Sequence, residues 1–272
     1  MTISRLLAFL FALLLSVPLF AQNQASGDSA FVGKGISNTA SGEYSFVGNG
    51  KDNIAAYNFA IVVGGKRNEA QARYTFIGGG YNNETSGYNS ALVGGEGNHI
   101  TATLSFIGGG KGNRASAKYT FIGGGHGNTA SGEISFIGGG KGNSTSGGRA
   151  SVVGGINNSA QGESAFIGGG ENNEASVRWA VVAGGNQNMA SARLSFIGGG
   201  QDNGTNGEAA AIAGGNNNQA KAPSTFIGGG VANKASDTLS VIGGGRENEA
   251  SAKYAFVGSG YSNTSSGEKA FI

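Results

Sequence analysis

Apolar and polar positions along this chain keep a fifteen-residue beat. The string Phe-Ile-Gly-Gly-Gly begins at Phe76, Phe106, Phe121, Phe136, Phe166, Phe196 and Phe226, and every spacing between these is a multiple of 15. With Ala30 taken as column one, the third column is Val, Ile or Leu in every copy from Val32 to Ile272. The first column is always Ala, Ser or Thr, and the sixth is always Gly, from Gly35 to Gly260. The eleventh is small from Ala25 and Ala40 to Ser265, with Ile100 the exception. The ninth column is Asn throughout. It comprises Asn38, Asn53, Asn68, Asn83, Asn98, Asn113, Asn128, Asn143, Asn158, Asn173, Asn188, Asn203, Asn218, Asn233, Asn248 and Asn263, preceded by Asn23. No insertion breaks the register over 17 copies.

A helix is excluded, because each turn would carry several Gly at about 1 kcal/mol apiece. β-branched and aromatic residues bounded by Gly and Asn clusters predict short strands and turns instead. Each repeat offers two: small–Phe–Ile, as in Ser135-Phe136-Ile137, and Asn-x-small-Ser, as in Asn128-Thr129-Ala130-Ser131. Gly138 to Gly140 and Gly132-Glu133 fall in the bends. Two such strands cannot bury a face alone, but stacked copies can. The expected fold is all-β, a single-stranded β-solenoid of 15-residue coils. At about 4.8 Å per coil it makes a rod on the order of 80 Å long.

Alternation assigns the faces. Columns one and three point inward from the first strand, and column eleven from the second, so the core is thin: small residues plus one aliphatic side chain per coil. The Asn column predicts a ladder. Asn tolerates left-handed backbone and bonds nearby main chain, and stacked amides bond from coil to coil. The column-six Gly predicts positive φ or close backbone approach.

Column two is Phe in 11 of 17 copies and by alternation points away from the lumen. It joins column fifteen in an outward strip expected to mediate self-association. The strip comprises Phe46, Phe76, Phe106, Phe121, Phe136, Phe166, Phe196, Phe226 and Phe256, with Tyr44, Tyr74, Tyr119, Trp179 and Tyr254. Monomers rarely expose so long an apolar patch. The competing assignment turns Phe inward and column three outward, giving one thicker core. A weaker 30-residue rhythm begins at Phe136: Phe coils alternate with Ser151, Val181, Ala211 and Val241, and three of those four replace the first Gly of the triplet with Val153, Ala183 and Ala213.

Composition narrows the class. The chain has 54 Gly but only 2 Pro, no collagen period, and a net charge of +2. The absence of Cys excludes a disulfide framework and thiolate metal sites. Lys and Arg are scattered, which gives no case for nucleic acid. His99 and His126 stand in different columns, expected on different faces and read as surface histidines. No Ser-His-acid set or paired carboxylates emerge, so no enzyme, cofactor or small-molecule substrate is expected. Arg5, the apolar run Leu6 to Leu15, Pro18 and a cut after Ala21 predict a secretory signal over 1–21, leaving a β-roll over 22–272 in an exported protein. The array stops in mid-repeat at Phe271-Ile272, as expected of a fragment or of a chain anchored elsewhere.

The run SGEISFIGGGKGNSTSG, Ser131 to Gly147, and its copies such as SGEYSFVGNGKDN from Ser41, resemble the head repeats of trimeric autotransporter adhesins. The resemblance covers residues 22–272; the family's heptad stalk and membrane barrel are not seen in this sequence. It implies a left-handed parallel β-roll, a homotrimer, and adhesion to host matrix or a cell surface. The trimer fits the Phe strip. Two other roles compete. An ice-binding β-roll would want a flat hydroxyl array, which column twelve offers in part (Ser41, Ser86, Ser116, Ser131, Ser146) and the charges of column ten interrupt. A passive surface or tail-fibre-like spacer would have no ligand.

Overall fold

The structure, a computed structural model, describes residues 22–272. The expected signal over 1–21 lies outside the described residues. Within them there is no helix. The chain is a parallel β-solenoid of fifteen-residue windings, with 17 two-residue strands in one sheet and 16 in the other. Strands such as Phe121–Ile122 and Phe136–Ile137 make the aromatic sheet, in which Phe121 faces Phe136 and Ile122 faces Ile137. Strands such as Thr129–Ala130 and Ser144–Thr145 make the hydroxyl sheet, with Thr129 facing Ser144. Each winding therefore lies on the next with no slip, and like residues form rows along the rod.

A third row, which the apolar pattern does not announce, runs through column seven. Lys111, His126 and Lys141 form successive parallel bridges there. The backbone is thus tied to its neighbours at that corner, while the side chains of Lys111, His126 and Lys141 stay exposed.

The hydrogen bonds run in two directions. From one winding, the N–H groups of Phe121, Gly123, His126, Thr129 and Ser131 donate to carbonyls of the following winding at 2.8–3.0 Å. Two N–H groups return to carbonyls, and a third, that of Asn128, returns to the Asn113 side-chain oxygen. Gly127 donates to the Lys111 carbonyl at 2.9 Å, and Ile134 to the Lys118 carbonyl at 3.0 Å, both in the preceding winding. The positions returning to carbonyls, columns eight and fifteen, are left-handed. Arg67 has φ +56°, Glu247 +57°, Tyr119 +60°, Ile134 +59° and Trp179 +60°. Left-handed backbone costs an L residue about 1–2 kcal/mol and is rarest for a β-branched one such as Ile134. The turned-back bond holds it there.

The core follows the expected columns. Ile122, Ile137, Ala115 and Ala130 are wholly buried, as are Leu92 and the exceptional Ile100. Phe136, next to Ile137, is 38% exposed. The assignment with Phe inside is thereby excluded. At column six, Gly125 has φ +93°, and a Cβ there would collide with the Gly140 carbonyl oxygen and stand 2.7 Å from the Asn128 amide nitrogen. Here the windings touch backbone to backbone, and no side chain fits. One buried aliphatic residue per winding contributes about 1.5–3 kcal/mol, so the ladder bonds carry much of the cohesion.

Candidate functional site

Asn113, Asn128 and Asn143 show what the ninth column does. The Asn128 side-chain oxygen accepts the backbone N–H of Asn143 at 2.9 Å. Its amide nitrogen donates to the Gly124 carbonyl of its own winding at 2.9 Å and to the Gly140 carbonyl of the next at 3.0 Å. Elsewhere the amides also bond each other, as Asn53 does to Asn38 at 3.1 Å. Asn38 to Asn248 are buried at every repeat, and Asn263 is half-buried. All sixteen take part in one internal ladder, which leaves them no free surface for a ligand. One detail differs from expectation. The Asn residues are not left-handed; the residue before each of them is, for instance Asn82 before Asn83 and Asp202 before Asn203. The amide turns inward to tie the bend, so it needs the ordinary backbone.

The outward aromatic rows are the candidate functional surface. Phe46, Phe76, Phe121, Phe136, Phe166, Phe196 and Phe226 are exposed, and Phe106 and Phe256 are half-buried. Rings stack along the row, with centroids 5.1 Å apart for Phe106–Phe121 and 5.3 Å for Phe121–Phe136. Column fifteen makes its own stack, Tyr44 on Phe59 at 5.2 Å and Phe59 on Tyr74 at 4.9 Å. Tyr74, Tyr119 and Tyr254 are exposed. Trp179 is half-buried beneath the Arg178 guanidinium, 3.8 Å from the ring centre, with Arg193 at 5.0 Å. Glu163 pairs with Arg178 at 3.3 Å and Arg149 at 3.0 Å. The strip thus presents stacked rows, not a mixed cluster.

A second feature explains the alternation of Phe with smaller residues. The Phe ring folds over the residue two places on: Cε1 of Phe121, Phe136 and Phe196 lies 3.6, 3.5 and 3.4 Å from where a Cβ on Gly123, Gly138 and Gly198 would stand. Every Phe of column two that has a fourth-column neighbour has Gly there. Where column two is Ile61, Ala91, Ser151, Val181 or Ala211, column four is Val63, Val93, Val153, Ala183 or Ala213; Val241 with Gly243 departs from this. Val63, Val93 and Val153 are themselves exposed. Apolar volume lost at column two is partly made up at column four: seven side-chain carbons in a Phe–Gly winding become four with Ser151 and Val153, and two with Ala211 and Ala213. The pairing is visible in the sequence; the ring lies over the glycine at ordinary contact distance, and the closest approach to a Cβ there is the next winding's carbonyl oxygen, that of Gly138 over Gly123 and of Val153 over Gly138.

No family model matches the chain, and no curated protein matches it.

The remaining chemistry is sparse. Among the described residues, no three His, Asp or Glu side chains come together as a metal-ligand set. His99 stands on the hydroxyl sheet with Nδ1 3.2 Å from the Glu84 carboxylate, beside a shallow depression bordered by Arg67 and Glu69. His126 lies in the bridged third row and is exposed. The Ser of columns one and twelve form rows of the array. Ser131, for example, bonds only the Thr145 carbonyl, at 3.3 Å.

Proposed function

We propose that the protein is a rod-shaped adhesion module of the cell surface or extracellular space, working as a homotrimer like the heads of trimeric autotransporter adhesins. The observation that carries this is the Phe-for-Val exchange between columns two and four. On a face that meets only water, nothing selects a Val at Val153 where Ser151 replaces a Phe. A face packed against a neighbour loses stability to voids, which favours restoring part of the lost volume beside the smaller residue. The area is adequate. At about 200 Å² per side chain, with roughly two-fifths exposed, eleven Phe present on the order of 900 Å². One partner's share of a standard interface is about 800 Å². The number three, and the role in adhesion, come from the resemblance of the repeats to that family. A host matrix or cell-surface component is the partner in this reading.

Sedimentation equilibrium tests the assembly. The protein is expected to sediment as a trimer at micromolar concentration, and a Phe121→Asp/Phe166→Asp/Phe196→Asp variant as a monomer with an unchanged β-rich circular dichroism spectrum. A wild-type monomer at every concentration would sink the proposal. Adhesion itself is tested by binding to immobilised matrix proteins, with the monomeric variant expected to bind more weakly through lost multivalency.

A further inference from the structure

Column eight is occupied by Gly in four successive windings, Gly97, Gly112, Gly127 and Gly142, and by side chains in all the other windings. The backbone does not demand this. These glycines have φ +63° to +67°, while Asn82, Asn157 and Gln187 hold φ +53° to +55° in the same column. A Cβ on Gly97, Gly112 or Gly127 would meet nothing within 4 Å, and over Gly142 it would meet the Asn157 side chain. The four glycines therefore floor an open trough, closed at one end by Asn157.

The walls of this trough are cationic. Lys111, His126 and Lys141 line one side in the bridged third row. Arg114 stands on the other, followed along the hydroxyl sheet by Thr129 and Ser144. Lys111 pairs with Glu96 at 2.9 Å; Arg114 and Lys141 have no carboxylate within ion-pair distance among the described residues. The charge is local. Residues 96–162 hold five Lys and Arg against the carboxylates of Glu96 and Glu133, a net +3, whereas the whole chain nets +2. The trough lies on the hydroxyl-sheet side of the winding, whereas the Phe row lies on the aromatic sheet, so a trimer built on Phe leaves it free.

We propose that this trough binds a linear sulfated polysaccharide. Lys111 and Lys141 are two windings apart, about 10 Å, close to the length of one disaccharide unit. Between and beside the cations stand hydroxyls and exposed backbone, which suit sugar oxygens. Single-stranded nucleic acid would want aromatic platforms, and the trough has no Phe, Tyr or Trp. A membrane surface would want an apolar edge to insert, and the one exposed apolar side chain at its border is Ile156, at the closed end. The proposal gives the adhesion reading a ligand class, but its test does not need the trimer.

The test is binding to immobilised heparin at low ionic strength. Wild type is expected to bind, and to release as salt screens the contact. Lys111→Ser/Arg114→Ser/Lys141→Ser is expected to lose about tenfold or more in affinity, and Lys34→Ser/Lys221→Ser/Lys253→Ser, with equal loss of charge, less than about threefold. Gly112→Gln/Gly127→Gln fills the floor without altering charge and is expected to weaken binding severalfold; Gln187 shows that the column accepts this side chain. Three results would overturn the proposal: no binding by wild type, equal losses in the two charge variants, or full binding by the filled variant. Equal or tighter binding to single-stranded DNA or to phosphatidylserine vesicles, with the same pattern of variants, would overturn it in favour of that ligand. Sedimentation of each variant reports separately on assembly, so failure here and failure of the trimer are distinguishable.

Discussion

The side-chain oxygen of Asn113 accepts the backbone N–H of Asn128, one winding on, at 2.9 Å. Asn128 passes the same bond to Asn143 and spends its amide hydrogens on two glycine carbonyls. Asn128→Ala would leave the Gly124 carbonyl and the Asn143 N–H without partners in a buried site, while the Gly140 carbonyl keeps the His126 N–H. At about 1–3 kcal/mol for each of the two orphans, the loss is expected to be roughly 2–6 kcal/mol. Because each winding is held only by its neighbours, urea denaturation should show the single transition splitting or its midpoint falling. An unchanged midpoint would mean that the ladder is ornamental.

Two glycines in one winding should behave oppositely. Gly125→Ala places a methyl against the Gly140 carbonyl at φ +93°, and is expected to cost several kcal/mol. Gly127→Asn meets open space at a φ that Asn82 and Asn157 already hold, and is expected to change stability by less than about 1 kcal/mol. Melting temperatures of the pair decide this; similar values for both would contradict the packing described.

The exchange of volume between columns two and four predicts a rescue. Phe136→Ala should weaken self-association by about 1–2 kcal/mol through lost apolar burial. Phe136→Ala/Gly138→Val should restore part of it as the Val153 carbonyl shifts away from the new Cβ, reproducing the arrangement of Ala91 with Val93. The readout is the dissociation constant of the proposed trimer. A double variant as weak as the single would show that the two columns do not share a surface.

Acid should weaken one surface tie. The Lys234 ammonium, hydrogen-bonded to Glu249 at 2.6 Å, holds the Glu249 carboxyl below its ordinary value, against the opposing effect of burial. A carboxylate with a lowered folded pKa stabilises above its unfolded pKa and loses that contribution as pH falls through the folded one. The pair is largely solvated, so the effect on stability is small. Lys234→Met is expected to raise the Glu249 pKa, read from an NMR titration of its side-chain carbon. No movement would show the contact to be absent in solution.

Much of the fold was legible from the columns. Asn at every ninth position and Val, Ile or Leu at every third placed the ladder and the core, and strict alternation put Phe136 outside. The left-handed turns were not legible. Residues as different as Ile134, Trp179 and Ser224 share φ of +55° to +60°, since the conformation is imposed by a bond to the preceding winding and not by local preference. The third row was hidden for a similar reason: Lys111, His126 and Lys141 bridge through backbone alone, so their side chains carry no common signature. Of the candidate surface, the aromatic residues could be read directly. The glycine trough could not, because it appears only when columns seven, eight and ten are seen around one corner.

Five N–H groups of each winding point along the rod in one direction and three point back. The body is therefore polar from end to end. A break between any two windings would expose mostly donors on one cut face and mostly acceptors on the other. Two cut pieces could rejoin nose to tail but not nose to nose, and a winding could be spliced in or out wherever the fifteen-residue phase is kept. Lengthening such a rod is a matter of copying a segment, with its orientation enforced by the seams themselves.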